Sequence, residues 1–123
     1  MITFLTTTDV ITIHDRMISV YGGLHGFADV GRIESMITRI LNRHIYEGEK
    51  DVYILASAYL LAIARGHCFN DGNKRTAFAS AIMFLRRNGI LIMYSTEHEE
   101  LTVEAAKGSL DVWQIAEVLK SGM

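Results

Sequence analysis

With 123 residues, 50% of them apolar and 21% charged, the chain is one domain's length with enough apolar side chains for a core, which excludes a disordered polymer. A formal charge of −2 excludes broad electrostatic capture of nucleic acid, and no apolar run reaches the roughly 18 residues that a bilayer-spanning helix needs. One cysteine gives no disulfide framework and the N-terminus lacks the basic start of a secretory signal, so a cytoplasmic protein with no membrane partner is expected.

Glycine is the main punctuation, since the chain contains no proline. Thr7, Thr8 and Asp9 are N-cap candidates for a first helix with Val10, Ile13, Met17 and Ile18 on one face, ending at Tyr21-Gly22-Gly23. Asp29 caps a second, bearing Ile33, Met36, Ile37, Ile40 and Leu41 and ending near Gly48. Asp51 opens a third helix, Val52 to Ala64, and Thr76 to Leu85 forms the body of a fourth. Both are apolar on almost every side, which predicts a central position. Ile90 to Tyr94 reads as a short strand or extended connector, and two modest helices follow, around Glu97 to Lys107 and Asp111 to Lys120. The expected fold is all-α, a compact bundle of about six helices in a single domain spanning residues 1–123. At most it holds marginal β structure near Ile2 to Leu5 and Ile90 to Tyr94.

Between the two apolar helices lies His67-Cys68-Phe69-Asn70-Asp71-Gly72-Asn73-Lys74-Arg75. Gly72 permits a turn that a Cβ would resist. Asn73 to Arg75 then fall in the first turn of the fourth helix, where backbone N–H groups lack internal partners and the helix dipole is positive. That is an anion pocket, and Lys74 and Arg75 add full charges to it. Asp71 can hold Mg²⁺, which takes one or two carboxylates together with phosphate oxygens. His67 is a general base suited to neutral pH. Together these groups describe transfer of a phosphorus group to a hydroxyl.

Each residue alone has a plainer reading. A histidine near a helix end is commonly a cap or a satisfied polar group, Asp-Gly is a turn signal, and Lys-Arg is ordinarily a solvated face. Phe69 reads as a hydrophobic plug, Cys68 as a packed thiol and Trp113 as a core or groove aromatic. His14, His25, His44 and His98 show no zinc spacing, and Tyr21-Gly22-Gly23 ends a helix more simply than it binds phosphate. Only the joint occurrence in one loop favours chemistry.

At these residues the chain resembles the Fic/Doc family, whose signature His-x-Phe-x-(Asp/Glu)-Gly-Asn-x-Arg is matched by His67, Phe69, Asp71, Gly72, Asn73 and Arg75. The Asn73-Lys74-Arg75 variant is similar to the Doc (death-on-curing) branch of toxins. Further likeness lies at His14-Asp15, Tyr21-Gly22-Gly23-Leu24, Gly31-Arg32, Arg65-Gly66 and Phe84 to Gly89, so it covers nearly the whole chain. The resemblance implies a Fic fold, His67 as base toward a protein hydroxyl, and Asp71 as Mg²⁺ ligand. It places Gly72, Asn73, Lys74 and Arg75 around the phosphates of ATP, with Arg65 as a charge partner beside the loop.

Adenylyltransferases of the family carry glycine where Lys74 stands and a second arginine where Phe78 stands. A lysine crowds the α-phosphate position, and loss of the arginine removes a phosphate contact. Both changes disfavour AMP transfer. The Doc branch implies a kinase that moves the γ-phosphoryl group of ATP to a hydroxyl of a translation factor, elongation factor Tu, and halts protein synthesis. The family's inhibitory pattern (Ser/Thr)-x-x-x-Glu-(Gly/Asn) is missing, because Glu47-Gly48 is preceded by Arg43. Restraint is therefore expected from a cognate antitoxin whose segment docks as a helix in a groove. The alternatives are an adenylyltransferase on the same fold, a non-catalytic antitoxin-binding module, and a ribonuclease toxin. The acidic balance and the lack of a basic groove with interleaved aromatics weigh against the last, and no direct nucleic-acid partner is expected.

Overall fold

A computed structural model describes residues 1–26, 29–93 and 96–121. Among them the chain forms α1 (Thr7–Tyr21), α2 (Val30–Ile45), α3 (Val52–Gly66), α4 (Asn73–Arg87), α5 (Thr96–Lys107) and α6 (Val112–Lys120). The N-termini are set by short polar side chains. Thr6, not Thr7 or Thr8, caps α1: its hydroxyl accepts from the Asp9 N–H at 3.2 Å, and the Asp9 carboxylate accepts from the Thr6 N–H at 2.8 Å. Asp29 caps α2, Asp51 caps α3, and Asp111 with Gln114 closes a second reciprocal box at α6.

The two helices that are apolar all round form the centre. α3 packs against α2, α4, α5 and α6, and α4 packs against α1, α3 and α5. Leu55, Tyr59, Leu60 and Ile63 of α3 and Ala77, Ala81, Phe84 and Leu85 of α4 are fully enclosed. At about 25 cal/mol per Å² of apolar area, burial of such side chains is the main force holding the loop between these helices.

The outer helices show where periodicity misleads. On α1 the buried positions are Val10, His14 and Ile18, while Ile13 and Met17 are only partly covered. α2 ends at Ile45, short of Gly48. The possible strands near Ile2 to Leu5 and over 90–93 do not form, and Tyr94 lies outside the described residues. Around Leu5 the reason is visible. The Thr3 N–H and carbonyl bond the Asn88 side chain, both at 2.9 Å, and the Leu5 N–H and carbonyl bond the Tyr59 hydroxyl at 3.0 and 3.2 Å. Side chains satisfy this backbone where a neighbouring strand would otherwise be needed. Phe69, in an isolated bridge, is the β pairing seen among the described residues.

Candidate active site

α3 runs to Gly66 and α4 begins at Asn73, so the interval between them is the loop to be built. His67 ends α3 in the left-handed region, φ 48° and ψ 44°, where glycine or asparagine is the easier residue. Its side chain is exposed, and its carbonyl accepts from Arg32 Nη1 at 3.5 Å. A non-glycine residue held in that conformation carries a local backbone cost, which the surrounding structure must sustain.

Cys68 and Phe69 turn inward. Burial pushes the Cys68 thiol up from its ordinary pKa, so it is a packed and unreactive group. Phe69 plugs into the core, where its ring stacks on His14 with centroids 3.8 Å apart and planes 5° from parallel. The Asn73 side chain clasps the same residue at both ends: Oδ1 accepts from the Phe69 N–H at 3.1 Å and Nδ2 donates to the Phe69 carbonyl at 2.9 Å. The amide of Asn73 is thus used to shape the loop. What Asn73 can offer an anion is its backbone N–H.

Gly72 is the N-cap of α4, with φ 75° and ψ 17°, and it supplies no side-chain cap. The left-handed backbone excludes the extended conformation from which Thr6, Asp29, Asp51 and Asp111 accept helix N–H groups. The first-turn donors of α4 therefore remain available, with Lys74 and Arg75 exposed beside them. The Arg75 guanidinium lies over the Tyr21 ring, 4.6 Å from its centroid. α4 is the one helix among those with a described N-cap whose positive end is left open, and two cations rather than an acid follow it.

Asp71 lies immediately before this end. Its Oδ2 accepts from the Leu24 N–H at 3.2 Å and its Oδ1 from the Gly72 N–H at 2.8 Å. These bonds, Leu24's first, hold the carboxyl below its ordinary pKa, with help from Arg75, so it is ionised at neutral pH. Among the described residues no three His, Cys, Asp or Glu side chains converge on a metal position. At the start of α4 the hard, exposed carboxylate that the chain offers a divalent cation is that of Asp71. That donor set fits Mg²⁺, which keeps several waters and is commonly held by one or two carboxylates together with phosphate oxygens.

Arg65 is placed elsewhere. Its guanidinium packs against Gly108 beyond α5, where a Cβ would sit 3.3 Å from Cζ, and no contact among the described residues brings it to the α4 N-terminus. It lines a groove of about 460 Å³ between α2 and α3, floored by Met36, Ile40 and Ala58 and shared with Arg39 and Arg43. At that edge the Arg43 guanidinium sits 5.6 Å from the centroid of the exposed Trp113 ring.

His14, which the sequence marks only as part of the family likeness and gives no role, also borders the site. It is buried, and its Nε2–H donates to the Asp71 carbonyl at 2.7 Å. The signal available was its spacing from Val10 and Ile18, which puts an imidazole on the covered face of α1.

The sequence pattern of the Fic/DOC family matches residues 4–85. The chain is 47% identical over 116 residues to the protein kinase Doc of Escherichia phage P1, covering 94% of this chain and 92% of that one. It is 31% identical over 121 residues to the toxin Doc of Mycolicibacterium smegmatis, covering 94% of this chain and 90% of that protein.

Proposed function

The chain belongs to the Fic/DOC family, and on that footing we propose that it is a Doc-type toxin, a protein kinase transferring the γ-phosphoryl group of ATP to a Ser or Thr hydroxyl. The expected target is a translation factor, elongation factor Tu, and the arena is the cytoplasm. No helix among the described residues is long and apolar enough to cross a membrane. The observation that carries this reading is the uncapped N-terminus of α4, flanked by ionised Asp71 on one side and Lys74 and Arg75 on the other.

The division of labour follows from the groups present. The N–H groups of Asn73, Lys74 and Arg75 and the two cationic side chains hold the phosphate oxygens. His67 accepts the proton of the incoming hydroxyl as its oxygen bonds the γ-phosphorus. The bond from that phosphorus to the β–γ bridging oxygen breaks, and ADP leaves with the electron pair. Asp71 would hold Mg²⁺, which when bound offsets the negative charge of the phosphates. Positioning and charge stabilisation supply most of the acceleration in phosphoryl transfer, and a general base contributes about 10²–10⁴-fold.

A toxin needs a partner that restrains it. The α2–α3 groove, apolar on its floor and bordered by Arg39, Arg43 and Arg65, suits an acidic amphipathic helix of an antitoxin. Reversing charge at Arg39 and Arg43 should weaken neutralisation without slowing phosphoryl transfer.

Incubation of the protein with a translation extract and ATP labelled at either the α or the γ phosphate tests the reaction. Label from the γ position alone should appear on a Ser or Thr of a translation factor. Transfer of the α label would replace the reading with adenylylation, and RNA fragments without protein labelling would replace it with nuclease action.

A further inference from the structure

Asp71 is fixed at more points than a turn requires. Its carbonyl accepts from His14 at 2.7 Å, its Oδ2 from Leu24 at 3.2 Å and its Oδ1 from Gly72 at 2.8 Å. Gly72 is the next residue of the loop, but His14 and Leu24 come from α1 and the segment that follows it, far from the loop in sequence. Gly23 has φ 122°, and a Cβ there would lie 2.7 Å from Asp71 Oδ2, so only glycine lets this backbone pass across the carboxylate. The Asn70 N–H donating to the Gly26 carbonyl at 3.2 Å continues the same apposition.

His14 is the unexpected member. It is 1% exposed on a face otherwise built from Val10 and Ile18, where a leucine would fill the space without desolvating a polar ring. A carbonyl only accepts, so Nε2 must carry the proton, and Nδ1 lies 3.5 Å from Asp15 Oδ1. One face of the imidazole stacks on Phe69. The ring therefore fixes both the buried plug and the exposed acid of one loop.

We propose that His14, with the Gly23–Leu24 backbone, is a positioning element that fixes Asp71 by its carbonyl and its carboxylate, so that the remaining carboxylate lone pairs are held in place for a cation arriving with the triphosphate. The inference rests on the reading of Asp71 as metal ligand. It makes the α1 residues partners of the loop in metal affinity, a role distinct from filling the core.

The experiment compares wild type, His14→Gln, His14→Phe and Asp71→Asn by calorimetric binding of ATP with Mg²⁺ and with EDTA, beside their melting temperatures. Phenylalanine keeps the stacking and removes the donor, whereas the glutamine amide can replace the Nε2–H. His14→Phe should melt near wild type and lose about tenfold or more of the Mg²⁺-dependent gain in ATP affinity, with EDTA binding unchanged, and His14→Gln should recover most of it. A full Mg²⁺ gain in His14→Phe, or equal loss in both variants, overturns the proposal. If Asp71→Asn also keeps the gain, the metal-ligand reading itself fails; if only Asp71→Asn loses it, the positioning role alone fails. Should His14→Phe not fold, the imidazole ¹⁵N spectrum of the wild-type protein decides: a proton on Nε2 is required, and the Nδ1–H tautomer contradicts it.

Discussion

The N-termini of α1 and α4 solve the same problem in opposite ways. At α1, Thr6 and Asp9 satisfy each other's backbone N–H groups, and Asp9 also receives both arms of Arg87 at 2.8 and 3.1 Å, tying the start of α1 to the end of α4. The N-cap and third-residue N–H groups of that helix start are both matched within the protein. At α4, the left-handed Gly72 precludes a cap and the next side chains are Lys74 and Arg75, which add to the positive potential instead of offsetting it. On the function proposed above, a structural helix start and a ligand-binding one are distinguished by what the protein leaves unsatisfied.

The largest expected effect lies at the proposed base, His67. His67→Asn should slow phosphoryl transfer by about 10²–10⁴-fold, while the left-handed conformation, easier for asparagine, leaves stability equal or higher. Steady-state kinetics beside chemical denaturation would show it; a stability loss with activity retained would reverse the roles assigned to this residue.

Lys74→Glu probes the open end of α4 directly. An acid in the first turn suits the dipole and should stabilise the helix by about 0.3–1 kcal/mol, yet the KM for ATP should rise by about tenfold or more as a phosphate-facing cation becomes an anion. Opposite signs for stability and nucleotide affinity in one variant are the mark of a site kept at a cost to the fold.

Asp9→Asn is the mirror experiment at α1. It should leave kcat unchanged and cost about 1–2 kcal/mol, discounted because the Arg87 partner faces solvent. The side-chain bond from Arg87 lowers the Asp9 carboxyl to about 2 from 3.8. A group lowered on folding stabilises the native state above its unfolded value. That contribution is therefore full above about pH 4 and lost as pH falls toward 2, a window that Asp9→Asn should flatten in acid denaturation curves. Smallest of all, Gln114→Ala opens one arm of the α6 capping box and should cost about 0.5–1 kcal/mol with activity intact.

How much of this was legible in the sequence depends on where each signal resides. Asp29, Asp51 and Asp111 announce their helices because a cap is a local interaction, and the all-round apolarity of α3 and α4 announces their central position. The loop from His67 to Arg75 is local too, so its residue types, its glycine and its place before α4 could be read together. Long-range partners could not. Leu5 gains its bonds from Tyr59, and a run of apolar residues cannot say that its backbone will be satisfied by side chains. Asn73 reads as a phosphate-binding residue until both ends of its side-chain amide are seen bonded to the Phe69 backbone. Arg65 sits next to the motif in sequence, yet its guanidinium packs beyond α5, because one step along a helix rotates a side chain by about 100°. His14 is silent in any apolar pattern, and its role emerges only when α1 is laid against the loop.

Amide chemical shifts followed on addition of ATP and Mg²⁺ test the central claim most directly. The account predicts that the N–H resonances of Asn73, Lys74 and Arg75 move downfield as phosphate oxygens accept from them, while those of Asp9 and Gln114, already bonded to their caps, stay where they are. Shifts confined to the α2–α3 groove, with residues 73–75 unmoved, would contradict it.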